Sequence, residues 1–463
     1  MFSLRCCGLL LCATAVLVAA CGGGAMVGEQ TPATGTLDIS VAGQTVTKVR
    51  AAGRDVVFLE EQLTSIFEDG PRRSLVFVGG NGELEQPYTA PAGWSIVDFA
   101  VHPSGDLSVV LTTSREVRLV RLDHNGSIRN DQSFADPSAV TDPFFNYAGG
   151  VKDDESLQPV LMHDAARLAP QGESLLLVLR TGRNAIVAYR LDPDPDAGGV
   201  YRQAWRTLVE PGASIFLEGI TSGTFDVFGQ LQNHLRLFID VDAAGILAIG
   251  TVEAPMLNFT FRAHADYFND QIAASYGILL TRVETSNGLR LGSSVINTQM
   301  QTELHGLRAS SQGFVLVGRV LSELRADGTG WDAFAASIAR DGSPGAYRIV
   351  DVDRGDVLFD IAQLPSGRYL ALGTTGYVQN PTGASISESA QPLLVLLGSD
   401  GSLIQNLGFS GGPRHNQLTT IARADRGWLL GGMVNGPGTH SGDADRALLV
   451  ADGFLRERSD LPD

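Results

Sequence analysis

Three aspartates at alternating positions, Asp192, Asp194 and Asp196 in the run DPDPDAGG, come nearest to metal chemistry by type and spacing. Carboxylates placed in this way before glycines can converge on a hard cation such as calcium. A helix-flanked calcium loop would also require Gly at 197 and Glu at 203, and Ala197 and Gln203 stand there. The structural alternative is an acidic hairpin turn stiffened by Pro193 and Pro195. No cofactor is expected, with calcium at this turn as the one candidate the residues suggest. Asp240 and Asp242 fall in a predicted strand and share one side of it, where a solvated or capping role outweighs that of a ligand pair. The eight histidines, His102, His124, His163, His234, His264, His305, His415 and His440, show no metal-ligand spacing. The one G-x-S-x-G string, Gly408-Phe409-Ser410-Gly411-Gly412, lies between strand-type repeats without the strand-to-helix turn of a nucleophile elbow, and there is no phosphate-binding loop; GGNGEL at 79–84 falls in a hairpin turn. No catalytic residue is assigned.

The cysteines carry a different chemistry. All four lie at the N-terminus, at 6, 7, 12 and 21, so the 442 residues beyond Cys21 hold no disulfide, thiolate nucleophile or cysteine metal site. Met1–Arg5 is a short segment with one positive charge, followed by 15 apolar or small residues from Cys6 to Ala20. This is the layout of a secretory signal and is shorter than the ~20 residues of a spanning helix. The segment Val18-Ala19-Ala20-Cys21 resembles the lipobox of bacterial lipoproteins. That resemblance implies a diacylglycerol on the thiol of Cys21, cleavage before it, and acylation of the new amino group. Cleavage after Ala20 by the common signal peptidase is the alternative. Two or three acyl chains give stable anchoring where one is marginal. Residue 22 is Gly rather than the Asp that resembles an inner-membrane retention signal, which points to the outer membrane of a Gram-negative envelope. Residues 21–35, rich in Gly, Ala and Thr without apolar period, are expected to be a flexible tether.

The chain has 463 residues and a net charge of −17; removing the signal, whose only charge is Arg5, leaves −18. So acidic a surface argues against nucleic acid and against electrostatic docking on anionic lipid. Gly occurs 54 times, only 18% of residues are charged, and no long amphipathic helix pattern is present. These features suit an all-β protein with many turns.

The elements come from an internal repeat. A strand, a Gly turn and an apolar run recur seven times, with turn glycines Gly53, Gly105, Gly172, Gly245, Gly313, Gly367 and Gly427 spaced by 52, 67, 73, 68, 54 and 60 residues. After each comes an apolar strand, a second polar Gly turn and a weaker strand, as in VRLVRLDHNGSIR (117–129) and PLLVLLGSDGSLIQNL (392–407); the last copy is ALLVADGFLRER (447–458). Two hairpins make a four-stranded antiparallel unit, and seven units of this size predict a seven-bladed β-propeller over residues 36–463. A pair of β-sandwiches is the alternative. Runs such as SLLLVL need not alternate, because a strand between two blades is buried on both faces. The copies QPLLVLLGSDGSLIQNLGFSGG (391–412) and LTTIARADRGWLLGGM (418–433) resemble the delta-sixty repeat of bacterial secreted proteins, with its "DGSL…FG" and "QPDGKIL" turns. The resemblance covers mainly residues 305–455 and implies propeller-like blades without an activity. The last unit ends in a poor strand, and TLDISVAG (36–43) is expected to supply its outer fourth strand.

In such a meander the two tight turns of each unit emerge on one face, and the mid-unit and between-unit connections on the other. The long insertions, 135–163, 206–236, 253–276, 376–391 and 434–446, all belong to the second class, so one face is flat and the other decorated. Loops on a rigid scaffold carry binding residues. Aromatic residues in these insertions, Phe144, Phe145, Tyr147, Phe225, Phe228, Phe259, Phe261, Tyr267 and Phe268, are candidate partner anchors; the alternative is that they pin their own loops. The function expected is that of a membrane-anchored, non-enzymatic binding or scaffold protein of the bacterial cell envelope, with a protein or glycan partner. The alternative is a periplasmic or surface propeller enzyme, a lactonase-like hydrolase or quinoprotein-like oxidoreductase, which would require carboxylates, His and Arg to converge at the central channel.

Overall fold

The computed structural model describes residues 38–462 except for 42–43, 52–54, 62–72, 79–83, 114–115, 135–165, 181–185, 198, 211–236, 254–276, 299–301, 323–329, 354, 377–390, 410–416, 425–426 and 435–451. The expected signal and tether, Cys21 included, lie outside the described residues. So do Phe144, Phe145, Tyr147, Phe225, Phe228, Phe259, Phe261, Tyr267 and Phe268.

Among the described residues 28 strands form seven four-stranded antiparallel sheets. β1 (Asp38–Val41) precedes blade 1, which is β2–β5 (Gln44–Ala51, Asp55–Glu61, Arg73–Val78, Leu84–Thr89). Blade 2 is β6–β9 (Ser95–Val101, Leu107–Thr112, Val117–Leu122, Ile128–Phe134), and blade 3 is β10–β13 (Ala166–Gln171, Ser174–Arg180, Ile186–Asp194, Val200–Glu210). Blade 4 is β14–β17 (Phe238–Val241, Ile246–Glu253, Gly277–Glu284, Arg290–Asn297), and blade 5 is β18–β21 (Thr302–Ala309, Gly313–Leu321, Trp331–Ala339, Pro344–Val350). Blade 6 is β22–β25 (Val357–Gln363, Tyr369–Thr375, Gln391–Leu397, Leu403–Asn406), and β26–β28 (Gln417–Ala424, Gly427–Val434, Asp452–Arg458) are the first three strands of blade 7. This is the seven-bladed propeller that the repeat predicts. β1 pairs antiparallel with β28, Ile39 opposite Leu455, and so supplies the outer strand of blade 7.

Burial explains why these strands are apolar at consecutive positions. On β11, Leu175, Leu177 and Leu179 pack toward blade 2, while Leu176 and Val178 pack toward blade 4. One hydrophobic cluster fills each interface between successive blades, and the cluster of Ile39, Val46, Val49, Ala422, Leu429 and Leu455 joins blade 7 to blade 1. The ring is thereby closed by apolar burial on every side. Outer strands pair with one strand only and are polar or exposed, as along β9 and β25.

Three sequence expectations are corrected. Asp452-Gly453 is not a turn: the two residues open β28, Gly453 opposite Met433 and Val41, because β1 and not a hairpin provides the fourth strand. Residues 206–210, placed in an insertion, extend β13, with Arg206 paired to Tyr189. Asp242 lies not in the strand with Asp240 but in the turn after β14, where its Oδ1 accepts from the backbone N–H groups of Ala244 and Ile246.

Candidate functional site

The first strand of each blade lines the central channel, and its side chains there are set by a repeated backbone irregularity. In β2, β6, β18, β22 and β26 the register shifts by one residue, at Thr47, Val97, His305, Phe359 and Thr419. A bulge places two consecutive residues opposite one partner. The bulged residue and its successor therefore both face a central cavity of about 380 Å³, to which all seven blades contribute.

The charged residues of this wall alternate in sign from blade to blade. Lys48 and Arg50 come from blade 1, Asp98 from blade 2, Arg167 from blade 3, Asp240 from blade 4, Arg308 from blade 5 and Asp360 from blade 6; blade 7 offers Thr420. Lys48 forms an ion pair with Asp98 and donates to the carbonyl of Phe99 at 2.9 Å. Asp98 Oδ2 accepts from the N–H of Leu168 at 2.8 Å, which ties blade 2 to blade 3. Asp240 accepts from its neighbour Val241 and, at 2.8 Å, from Ala309 of blade 5. Arg308 binds Asp360 through Nε and Nη2 at 2.9 and 2.8 Å. Asp360 in turn accepts from Ile421 N–H at 3.1 Å, and Thr420 Oγ1 accepts from Val49 N–H at 3.2 Å. These bonds stitch blades 1 to 3 and blades 4 through 7 back to 1.

Burial pulls the Lys48 ammonium down to about 8 even with Asp98 against it. Burial works to raise Asp98, but Lys48 and Arg167 outweigh it and hold the carboxyl below its usual range. Burial lowers the Arg50 guanidinium to about 10, and repulsion from Arg308 adds to the shift.

His305 meets the channel beside Glu303, whose carboxylate takes Arg319 Nε and Nη2 at 2.6 and 2.8 Å and stays far below its ordinary range despite burial. Arg319 also stacks over Trp331, 4.4 Å from the ring centre. His102 is buried between blades 2 and 3, with Nδ1 3.0 Å from the Gly172 carbonyl and Nε2 2.7 Å from Ser108 Oγ; burial lowers its pKa. His124 is exposed beside Asn125, and the other five histidines lie outside the described residues.

The acidic turn does not assemble. Asp192 accepts from Arg190 at 2.8 Å, Asp194 pairs with Arg202, and Asp194 Oδ1 also caps Asp196 N–H at 3.0 Å. Asp196 sits in the 3-10 turn Pro195–Ala197. Among the described residues no group of three or more His, Cys, Asp or Glu side chains is arranged to hold a metal ion. The channel ring, in contrast, was not singled out from sequence. Its signal is a charged residue five or seven positions before the turn glycine in blades 1 to 6, where blade 7 has Thr420.

The architecture is that of the β-propellers, and solved structures share it. The Dos1 propeller is 8% identical over 92% of this chain and 95% of that one, with a TM-score of 0.47. The WD40 repeats of RRP9 are 9% identical over 93% and 99%, with a TM-score of 0.46. The β-propeller domain of the trilobed protease from Pyrococcus furiosus is 8% identical over 90% and 96%, with a TM-score of 0.40. No protein-family profile and no curated protein matches the sequence. The likeness is one of architecture, and no activity follows from it.

Proposed function

We propose that this chain is a non-catalytic binding or scaffold propeller held in a bacterial cell envelope by lipid on Cys21. The observation that carries the non-catalytic reading is the state of the channel carboxylates. Asp98 and Asp360 are each bound to a cation and to the next blade's N–H, and Asp240 accepts from two backbone N–H groups. A general base needs a lone pair directed at a substrate proton, and a nucleophile needs an adjacent base. These carboxylates are each engaged in tying one blade to the next.

The anchor rests on Val18-Ala19-Ala20-Cys21, and the outer membrane on Gly22. The resemblance to delta-sixty repeats fits a secreted propeller. The partner, a protein or a glycan, is assigned to the decorated face. The long connections after β9, β13, β15, β23 and β27 all start from strand ends opposite turn residues such as Asn125, Ser343 and Asp400, which are exposed. Labelled palmitate is expected to enter the wild-type protein and not Cys21→Ala. Deleting residues 139–158 is expected to abolish cross-linked recovery of the partner from envelope extracts, while charge substitutions at Asn125, Ser343 and Asp400 leave it intact. Equal labelling overturns the anchor, the reverse recovery pattern overturns the face, and turnover of a lactone or a quinone-linked alcohol by the purified protein overturns the non-catalytic reading.

A further inference from the structure

Among the described residues the channel ring is one negative charge short. It holds four cations, Lys48, Arg50, Arg167 and Arg308, against three carboxylates, Asp98, Asp240 and Asp360. The shortfall has an address. Directly after their bulges, blades 2 and 6 carry Asp98 opposite Val110 and Asp360 opposite Leu372, each accepting the N–H of the next blade. At the same register in blade 7, opposite Gly431, stands Thr420, which accepts the N–H of Val49 but brings no charge. The next residue after Val49 is Arg50. Its bond among the described residues is from Nη1 to the Val49 carbonyl at 2.8 Å, and no carboxylate there pairs with it. Arg308 gives Nε and Nη2 to Asp360.

An arginine does not shed its proton in a protein, and Arg50 feels Asp360, Asp98 and Asp240 across the channel without a carboxylate in direct contact among the described residues, so its fork is open to an anion from outside. Arg50 faces a cavity of about 380 Å³, at the small end of the range for ligand sites. A guanidinium presents a planar fork that matches an oxyanion in two parallel bonds. We infer that the propeller channel binds a small oxyanion, a carboxylate or a phosphate, on Arg50, in the place where blade 7 lacks the aspartate of blades 2 and 6. The anion neutralises the ring and makes this channel an anion-selective site inside a chain of net charge −17. The site is independent of the lipid anchor and of the decorated face.

The test uses the protein from residue 22 onward in low-salt buffer, with sodium acetate and sodium phosphate as separate probes and sodium chloride at matched ionic strength as reference. A ligand that binds the native state raises the melting temperature, by about 2–4 °C near saturation. Acetate or phosphate is expected to give this rise in the wild type, and the arm that gives it at lower concentration identifies the chemistry. Arg50→Gln removes the fork, and Thr420→Asp supplies the missing carboxylate from within; both are expected to abolish the rise. Thr420→Asp also guards against misfolding, because it is expected to melt above the anion-free wild type and near the anion-saturated one. The inference is overturned if neither anion exceeds chloride, or if Thr420→Asp responds as the wild type does.

Discussion

A residue acts here through the blade it touches as much as through the blade it belongs to. Asp98 and Asp360 carry no signal of their own in the sequence and Asp240 reads only as the neighbour of Asp242, so the ring they form with Lys48, Arg167 and Arg308 could not be read off. The reason is geometric: Lys48 and Asp240 lie five positions before their turn glycines, Asp98 and Asp360 seven, because turn length and bulge vary between blades. Arg167 and Arg308 also lie at five, so the ring is split between two spacings and alternates in sign, and neither spacing alone marks it. Asp356, between blades 5 and 6, carries a separable prediction. Its Oδ2 accepts from the N–H groups of Val352 and Asp353 at 2.7 and 3.1 Å, and burial, with a smaller contribution from Asp332, raises its pKa to about 6. The folded state therefore holds a proton there between the unfolded value near 3.8 and about 6, where the unfolded state does not. Stability from this group is complete below the lower value and is lost as pH rises through the upper one. Asp356→Asn keeps an acceptor oxygen and removes the charge. At pH 7 it is expected to stabilise by up to about 3 kcal/mol, and at pH 4 the variant and the wild type should melt together. Parallel melting curves at pH 4 and 7 check this, and an equal gap at both values would refute it.

At the scale of strands, the pairing of bulge with glycine decides the shape of the channel wall. Gly318, Gly373 and Gly432 stand on the second strands of blades 5, 6 and 7, opposite Leu304, Leu358 and Leu418, one residue before each bulge. A Cβ on any of them would meet the carbonyl oxygen of Glu303, Val357 or Gln417 well inside the 3.0 Å that real Cβ atoms keep. The close approach is between backbones, so no side chain can swing away to relieve it. In sequence these glycines looked like the ends of apolar runs, although a strand glycine is a known mark of a bulge or of close backbone approach. The turn glycines were legible because their role is local. Gly367 adopts φ +80° with no atom within 4 Å of a would-be Cβ. Gly367→Ala is expected to cost about 1 kcal/mol, the price of the left-handed conformation. Gly373→Ala is expected to cost about 3 kcal/mol or more, since the first strand of blade 6 must move. Urea titration of the two variants checks the order; a reversed order would show that the wall yields more easily than the turn.

The whole molecule is a ring, and a ring must hide its seam. Seven units with two hairpins each were legible because each blade repeats one order of apolar and turn residues. The seam was legible from what the last unit lacks, a good fourth strand, and from the unassigned strand-like segment before the first unit. What the sequence placed wrongly, the turn at Asp452-Gly453, follows from the same seam: with β1 in place the last unit needs one strand after its long connection, not two. β1 has only four residues, yet it joins the two ends of the chain. Ile39 enters the cluster shared by blades 1 and 7, beside Val46, Val49, Leu429 and Leu455. Without β1 the edge of β28 would offer unpaired N–H and C=O groups, a template for a strand from another chain. Burying one Ile side chain is worth about 1.5–3 kcal/mol, and a four-residue ladder adds to it. Deletion of residues 36–43 is therefore expected to cost about 3–5 kcal/mol and to leave a protein that self-associates through blade 7. A peptide of sequence TLDISVAG, added to the deleted protein, is expected to restore the melting temperature and return it to the size of the intact molecule. Ile39→Asp in the peptide should remove the rescue, because forming the ladder would bury an unpaired charge against Leu429 and Leu455. Size-exclusion chromatography and thermal melting, with and without peptide, read both consequences; an unchanged melting temperature on deletion would mean that the seven inter-blade clusters hold the ring closed without its seam strand.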